Sequence, residues 1–215
     1  MALWDTRRAS LQMISQDLKW HADFIVKLFG ILDTMIDRFQ TIETPYAETC
    51  GMLALKGRNL CLVLFAAILD GLSHVSTGLV GEIMEMTVWM DYLFNNPSIA
   101  KELSILGFPR SGEVFYKIQI DLHTALETLE YKATDFGFTQ ESLYLPLDKN
   151  NQPWVKTQVH EKADLIKQLG LVAVLLIRII QKCSDCLKVE NSVDEQLDDE
   201  VATLFHRAAT AFLFL

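Results

Sequence analysis

Residues 11–39 read LQMISQDLKWHADFIVKLFGILDTMIDRF. Within them Leu11, Ile14, Leu18, His21, Ile25, Leu28, Leu32, Met35 and Phe39 follow one another at alternating gaps of three and four. On a 3.6-residue helix those gaps keep every side chain on one flank, so the stretch predicts a long amphipathic helix. A repeat of about 3.5 residues is also that of a left-handed bundle seam. Phe24, Phe29 and Ile36 widen the stripe, as expected of a helix that touches more than one neighbour. The helix is expected over 5–43. Thr44 precedes Pro45, and the residue before a proline is pushed out of the α region.

The same pattern recurs outward along the chain. Residues 47–94 carry one stripe of Leu55, Leu62, Phe65, Leu69 and Leu72, then another of Leu79, Ile83, Met86, Met90 and Leu93. Between them Gly71, Ser73, His74, Ser76, Thr77 and Gly78 form a small, polar patch. We expect one long helix bent there rather than two joined by a turn. Asn95-Asn96-Pro97 ends it. Ser98 is placed to cap a short helix, Ile99 to Leu106, closed by Gly107. Ser111 is placed to cap a helix over 111–135 with the stripe Phe115, Ile118, Leu122, Ala125, Leu129. Residues 139–154 hold Pro146, Asp148, Asn150, Asn151 and Pro153, and predict a long loop. A helix over 157–189 follows, with the stripe Ile166, Leu169, Ala173, Leu176, Ile180, Cys183, Leu187 and apolar flanks. It is the most apolar segment and is expected at the centre of the fold. Asn191 ends it, and Ser192 with Glu195 is a capping box for a last helix over 192–214. The whole predicts one all-α domain over 1–215: a left-handed, mostly antiparallel bundle of about five to seven helices.

Composition narrows the function classes. The 215-residue chain is half hydrophobic and carries a net charge of -9. No run of Lys or Arg offsets that charge, so nucleic-acid binding is not expected. The first ten residues carry Asp5, Arg7 and Arg8 without an apolar core, unlike a secretory signal. The longest uncharged apolar stretches, Asn59–Leu69 and Gln168–Ile177, are shorter than the ~18 to 20 residues of a bilayer span. We expect a cytoplasmic protein with no membrane span. Cys50, Cys61, Cys183 and Cys186 all lie in apolar segments and read as reduced core thiols.

The patterns of catalysis and metal binding are missing. None of His21, His74, His123, His160 and His206 has Glu three residues before it, which argues against a di-metal carboxylate bundle. His-x-x-x-His is absent. Cys183-x-x-Cys186 is the one metal-like pair, and without a second pair it reads as packing. There is no G-x-S-x-G, Walker-type or G-x-G-x-x-G sequence. Small helical nucleases of the HEPN type place a His four to six residues after an Arg; no Arg here precedes a His at that spacing. We therefore expect no catalytic residue, no metal and no cofactor.

Other polar positions have ordinary explanations. His21 interrupts an Ile/Leu stripe, with Asp17 one turn earlier as a possible acceptor. Glu82, Glu85 and Asp91 beside Met84, Met86 and Met90 read as a solvated face next to core. Glu190, Asp194, Glu195, Asp198, Asp199 and Glu200 suit a helix N-terminus. The uncharged end 208–215, AATAFLFL, needs covering and points to self-association. The leading expectation is a non-catalytic interaction protein, acting as a homodimer or through a partner helix on its apolar faces. Two alternatives stand beside it. One is a small-molecule binder or enzyme with a pocket inside the bundle, using His21 or the 139–154 loop as a lid. The other is an inactive or atypical HEPN-like component of a bacterial defence or toxin–antitoxin system.

Overall fold

The computed structural model describes residues 3–135, 162–192 and 199–203, and every regular element among them is helical. The helices are α1 (Leu3–Asp17), α2 (Lys19–Gln40), α3 (Pro45–Leu69), α4 (Ser73–Asn95), α5 (Ala100–Leu106), α6 (Glu113–Asp135) and α7 (Lys162–Val189). A 3-10 turn, Pro97–Ile99, precedes α5. The all-α bundle read from the stripes is the observed fold.

The core is built by α2, α3, α4 and α7, with α6 against α4, α5 against α3, and α1 against α2 and α3. Short turns join α2 to α3 and α3 to α4. Contacts at their ends orient α7. Thr44 at the start of α3 hydrogen-bonds Glu190 beyond the end of α7 at 2.7 Å, so these two helices are antiparallel. Lys162 at the start of α7 lies 3.6 Å from Asp17 beside the start of α2, and Cys186 near its end reaches Met90 near the end of α4. Helix α7 thus runs in the same sense as α2 and α4. Its Leu169, Val172, Ala173, Leu176, Ile179, Ile180 and Cys183 are all buried, which makes it the central helix expected of the most apolar segment.

Two of the expected long helices are divided. The helix expected over 5–43 breaks at Leu18, whose φ of -122° and ψ of 19° leave the helical range. The hydrogen bonds Leu18 N–H to Ile14 and Ala22 N–H to Leu18 still carry the ladder across, so this is a kink. Neither Gly nor Pro marks it. It accompanies burial of the Leu18 side chain and an ion pair from Arg7 to Asp70 at 3.5 Å, both tertiary effects. Beyond the kink the stripe from Ile25 to Phe39 is core, whereas Leu11 on α1 faces solvent.

The bent helix expected over 47–94 is two helices. Gly71 adopts φ +70°, and the amides of Gly71 and Leu72 donate to the carbonyls of Ile68 and Ala67, both at 2.9 Å. This left-handed cap, nearly free of strain only for glycine, satisfies the last carbonyls of α3 and turns the chain into α4. Asn191 plays the same part after α7, at φ 52°, with Ser192 N–H bonded to Leu187 O. The cap expected at Ser98 is replaced by the 3-10 turn, so α5 begins at Ala100, and Gly107 closes it at φ +75°. At the start of α3, Thr44 Oγ1 accepts from Ala47 N–H at 3.1 Å with Pro45 in the first turn. The expected loop over 139–154 lies outside the described residues. So do 157–161 of the helix expected over 157–189 and, 199–203 apart, nearly all of the helix expected over 192–214.

Candidate functional site

Helix α3 is apolar on two faces, and the inner one is not the one its leucines suggest. Its buried seam is Cys50, Leu53, Ala54, Gly57, Cys61, Leu64 and Ile68. Four of these are small, so α3 lies close to α7: a Cβ built on Gly57 would sit 3.0 Å from Ile179 Cδ1. Leu55 and Leu62, expected in the core stripe, point outward instead. Met52, Leu55, Leu62 and Val63 are 47%, 43%, 46% and 51% exposed and form one outer stripe. The physical reason is volume. A seam containing small side chains lets two helices approach, and Leu55 and Leu62 lie off that seam.

The outer stripe runs into a groove of about 470 Å³ between the end of α2 and the start of α3. Its floor includes Ile36, Phe39, Ala47 and Gly51, its walls Ile42, Met52 and Leu55, and its rim the exposed carboxylates Glu43 and Glu48. Lys56, next along α3, is also exposed. Arg58 is fixed elsewhere: it holds Asp33 through two hydrogen bonds, of 2.9 and 3.2 Å, and lies over the Phe29 ring. That carboxylate holds the guanidinium above its ordinary pKa. Among the described residues α3 is the helix long and apolar enough to cross a membrane, and 44% of that window is buried inside the bundle.

A second cluster lies where the start of α3 meets the end of α7. Cys50 and Cys186 are both buried there, and the Cys186 thiol donates to Met90 O at 3.8 Å. The neighbouring Cys186 and burial push the Cys50 thiol up, while the neighbouring Cys50 holds the Cys186 thiol below its ordinary range against the opposing effect of burial. Cys183 and Cys61 are pushed up by burial. Among the described residues no three His, Cys, Asp or Glu side chains converge to hold a metal ion.

The remaining candidates are scattered. His21 is half-buried near the start of α2, edge-on to Trp20, with its pKa lowered by burial and by Lys162. Fifteen residues of helix, roughly 22 Å, separate it from the groove, so it does not line it. His123 is exposed and pairs with Glu127. Met84, Met86 and Met90 are buried core, Trp89 Nε1 donates to Glu85, and Asp91 pairs with Lys182. Glu190 is taken by Thr44. His160, His206, Asp194, Glu195, Asp198 and the apolar end 208–215 lie outside the described residues. Sequence reasoning placed Cys50 among the core thiols, as observed, but missed Tyr46 and the outer stripe. The spacing of small residues at 50, 54, 57 and 61 was the available signal for the seam.

Comparison with protein-family models, curated proteins and solved structures finds no match to this chain.

Proposed function

We propose that this bundle is a non-catalytic, cytoplasmic interaction protein that works as a homodimer, pairing through the outer face of α3. The observation that carries the reading is the exposed row Met52, Leu55, Leu62 and Val63 beside an apolar groove. Contiguous large apolar side chains at a surface mark interaction sites more often than chance exposure. A second copy fits the face better than other occupants. In a two-fold pairing each copy presents the same patch, so it must complement itself. This one carries acids, Glu43 and Glu48, at one end and Lys56 further along the same helix. Antiparallel α3 helices would bring opposite charges together around the apolar row. The acidic rim is unfavourable to phosphate backbones and to anionic lipid, which argues against an RNA-binding HEPN-like role. The groove is open and its polar groups sit on the rim, a poor enclosure for a small molecule.

Light scattering on a size-exclusion column tests the proposal. The protein is expected at twice its chain mass of 24.5 kDa at micromolar concentration. Leu55→Glu and Met52→Glu are expected to keep the helical circular dichroism and to raise the dimer dissociation constant at least about tenfold. A monomer at ~100 μM, on the usual micromolar scale of weak pairs, overturns the reading. So does a dimer indifferent to both changes.

A further inference from the structure

The exposed face of α3 has a centre, and a polar residue occupies it. Met52, Leu55, Asn59, Leu62 and Ala66 follow one another at gaps of three, four, three and four, the spacing of a coiled-coil seam. The first four are exposed and Ala66 is half-buried. Asn59 lies opposite the buried seam of Cys50, Gly57, Cys61 and Ile68, so it points most directly away from the bundle. Its amide is held in place. Arg58 Nη1 donates to Asn59 Oδ1 at 3.3 Å, and Asp33 fixes Arg58 through two hydrogen bonds of its own. An amide oxygen has a second lone pair and the NH2 group two donors, so Asn59 can still give and accept a hydrogen bond. Covered by an apolar side chain, such an amide costs stability; covered by a second amide, it is satisfied.

Resting on the α3-to-α3 dimer proposed above, we infer that Asn59 lies on its two-fold axis and sets the register, the two amides pairing with each other across the axis. In an antiparallel pair with that axis, a residue a given number of places before 59 meets the residue the same number of places after 59 on the other copy. Met52 then meets Ala66, large against small, and Leu55 meets Val63. The Lys56 stem lies along Leu62 with its ammonium at the edge. That ammonium finds an acid. A Cβ at Gly57 would lie 3.9 Å from Met86 Cβ, and the turn at Gly71 stands midway between the two, so α3 and α4 are antiparallel. The exposed Glu82, one turn before Met86, is thus level with Cys61, while Lys56 of the other copy arrives level with Leu62. Opposite charges meet there once for each copy. A parallel pair would also match Asn59 with itself, but it sets Glu48 against Glu48 and Lys56 against Lys56. Sliding the antiparallel pair by one turn sets each amide against Leu55 or Leu62, where it has no partner.

The full chain carrying both Met52→Cys and Ala66→Cys, with Asn59 intact, reads the register. Within one chain these positions lie about four helical turns, roughly 21 Å, apart, outside disulfide reach. Air oxidation, non-reducing electrophoresis and peptide mapping are expected to give a covalent dimer joined 52 to 66. Adding Asn59→Leu is expected to tighten association at least about tenfold and to spread the links over 52–52 and 66–66, or to give species larger than a dimer in light scattering. A wild-type monomer removes the dimer itself, and this inference with it. A wild-type dimer whose folded double-cysteine chain links 52 to 52 or 66 to 66, or stays unlinked, overturns the Asn59 axis and leaves the dimer standing. So does an Asn59→Leu chain with the wild-type affinity and the same single link. Where the double-cysteine chain fails to keep its helical circular dichroism, Asn59→Leu alone, a change on the exposed face, decides by light scattering: an unchanged dimer of unchanged affinity overturns the inference.

Discussion

Adding one methyl group at each of two glycines of α3 separates the forces that hold it. Gly→Ala in a helix interior gains about 0.8–1.0 kcal/mol of backbone propensity at either site. The sites differ in what the new Cβ meets. At Gly57 it arrives 3.0 Å from Ile179 Cδ1, and the next atoms, Ile179 Cγ1 and Met86 Cβ, are at 3.6 and 3.9 Å, ordinary contact. Cδ1 is the free end of a side chain, and turning it away costs about 0.5 kcal/mol, the low end for an off-rotamer χ. Gly57→Ala is therefore expected to be about 0.3–0.5 kcal/mol more stable, with the propensity term winning. At Gly51 the nearest atom, also at 3.0 Å, is Phe39 Cβ, the root of its side chain. It cannot swing away without moving α2, and overpacking of that kind costs about 1–3 kcal/mol. Gly51→Ala is expected to lose about 1 kcal/mol net, the overpacking cost less the propensity gain. Urea unfolding followed by circular dichroism measures both. The midpoints should fall on opposite sides of wild type, or at least in that order. A Gly57→Ala protein less stable than Gly51→Ala would refute the reasoning that Ile179 Cδ1 yields to a new Cβ where Phe39 Cβ cannot.

Two further outcomes follow from single contacts. Thr44→Ala removes the cap of α3 and the tie to Glu190, and should destabilise by about 1–2 kcal/mol in thermal or urea unfolding, whereas Thr44→Ser should recover most of it. His21 has its pKa lowered from the ordinary 6.5 by burial and then by Lys162, so the unfolded chain takes up a proton before the native one does. Its contribution to stability is present above about pH 6.5 and is lost as the pH falls through the lower native value. Urea midpoints at pH 7.5 and 5.5, on either side of 6.5, should therefore diverge less in His21→Leu than in wild type; equal divergence would contradict the assignment.

How much could be read in advance depended on whether large or small side chains make the contact. The stripe of α2 was legible because Ile25, Leu28, Leu32, Met35 and Phe39 are big and are the residues that pack. The α7 stripe was legible for the same reason, and its apolar flanks correctly placed it at the centre. In α3 the rule inverts. Cys50, Ala54, Gly57 and Cys61 let the seam close because they are small, and the stripe begun at Leu55 and Leu62 follows the opposite flank, although Leu53 and Leu64 are buried. Gly71 stood in the sequence as a break, but whether it bends or ends a helix depends on its φ, which spacing does not record. The kink at Leu18 has no local signal. Cys183-x-x-Cys186 drew notice as a pair, yet the Cys186 thiol donates to Met90 O on another helix, a relation fixed by tertiary register.

The two-sidedness of α3 also explains why its composition resembles a membrane span. An isolated spanning helix meets one solvent, the acyl chains, and is apolar all round. Helix α3 instead carries Glu48, Lys56, Arg58 and Asn59, and Arg58 is engaged with Asp33. Its inner flank of small residues fits α7 at Gly57 so closely that one methyl group fills the gap. Withdrawing it into lipid would uncover the α7 core and break that pair. The seam accounts for the buried 44% of the window, and the outer stripe supplies much of the remaining apolar surface. Of the two, only the outer stripe lacks a cover within the chain's described residues. On the proposed dimer, Leu55→Glu should therefore lower association and leave unfolding within about 0.5 kcal/mol of wild type when measured on the monomer, as for an ordinary surface change. A larger loss of monomer stability would place Leu55 inside the core and remove the reason for a second copy.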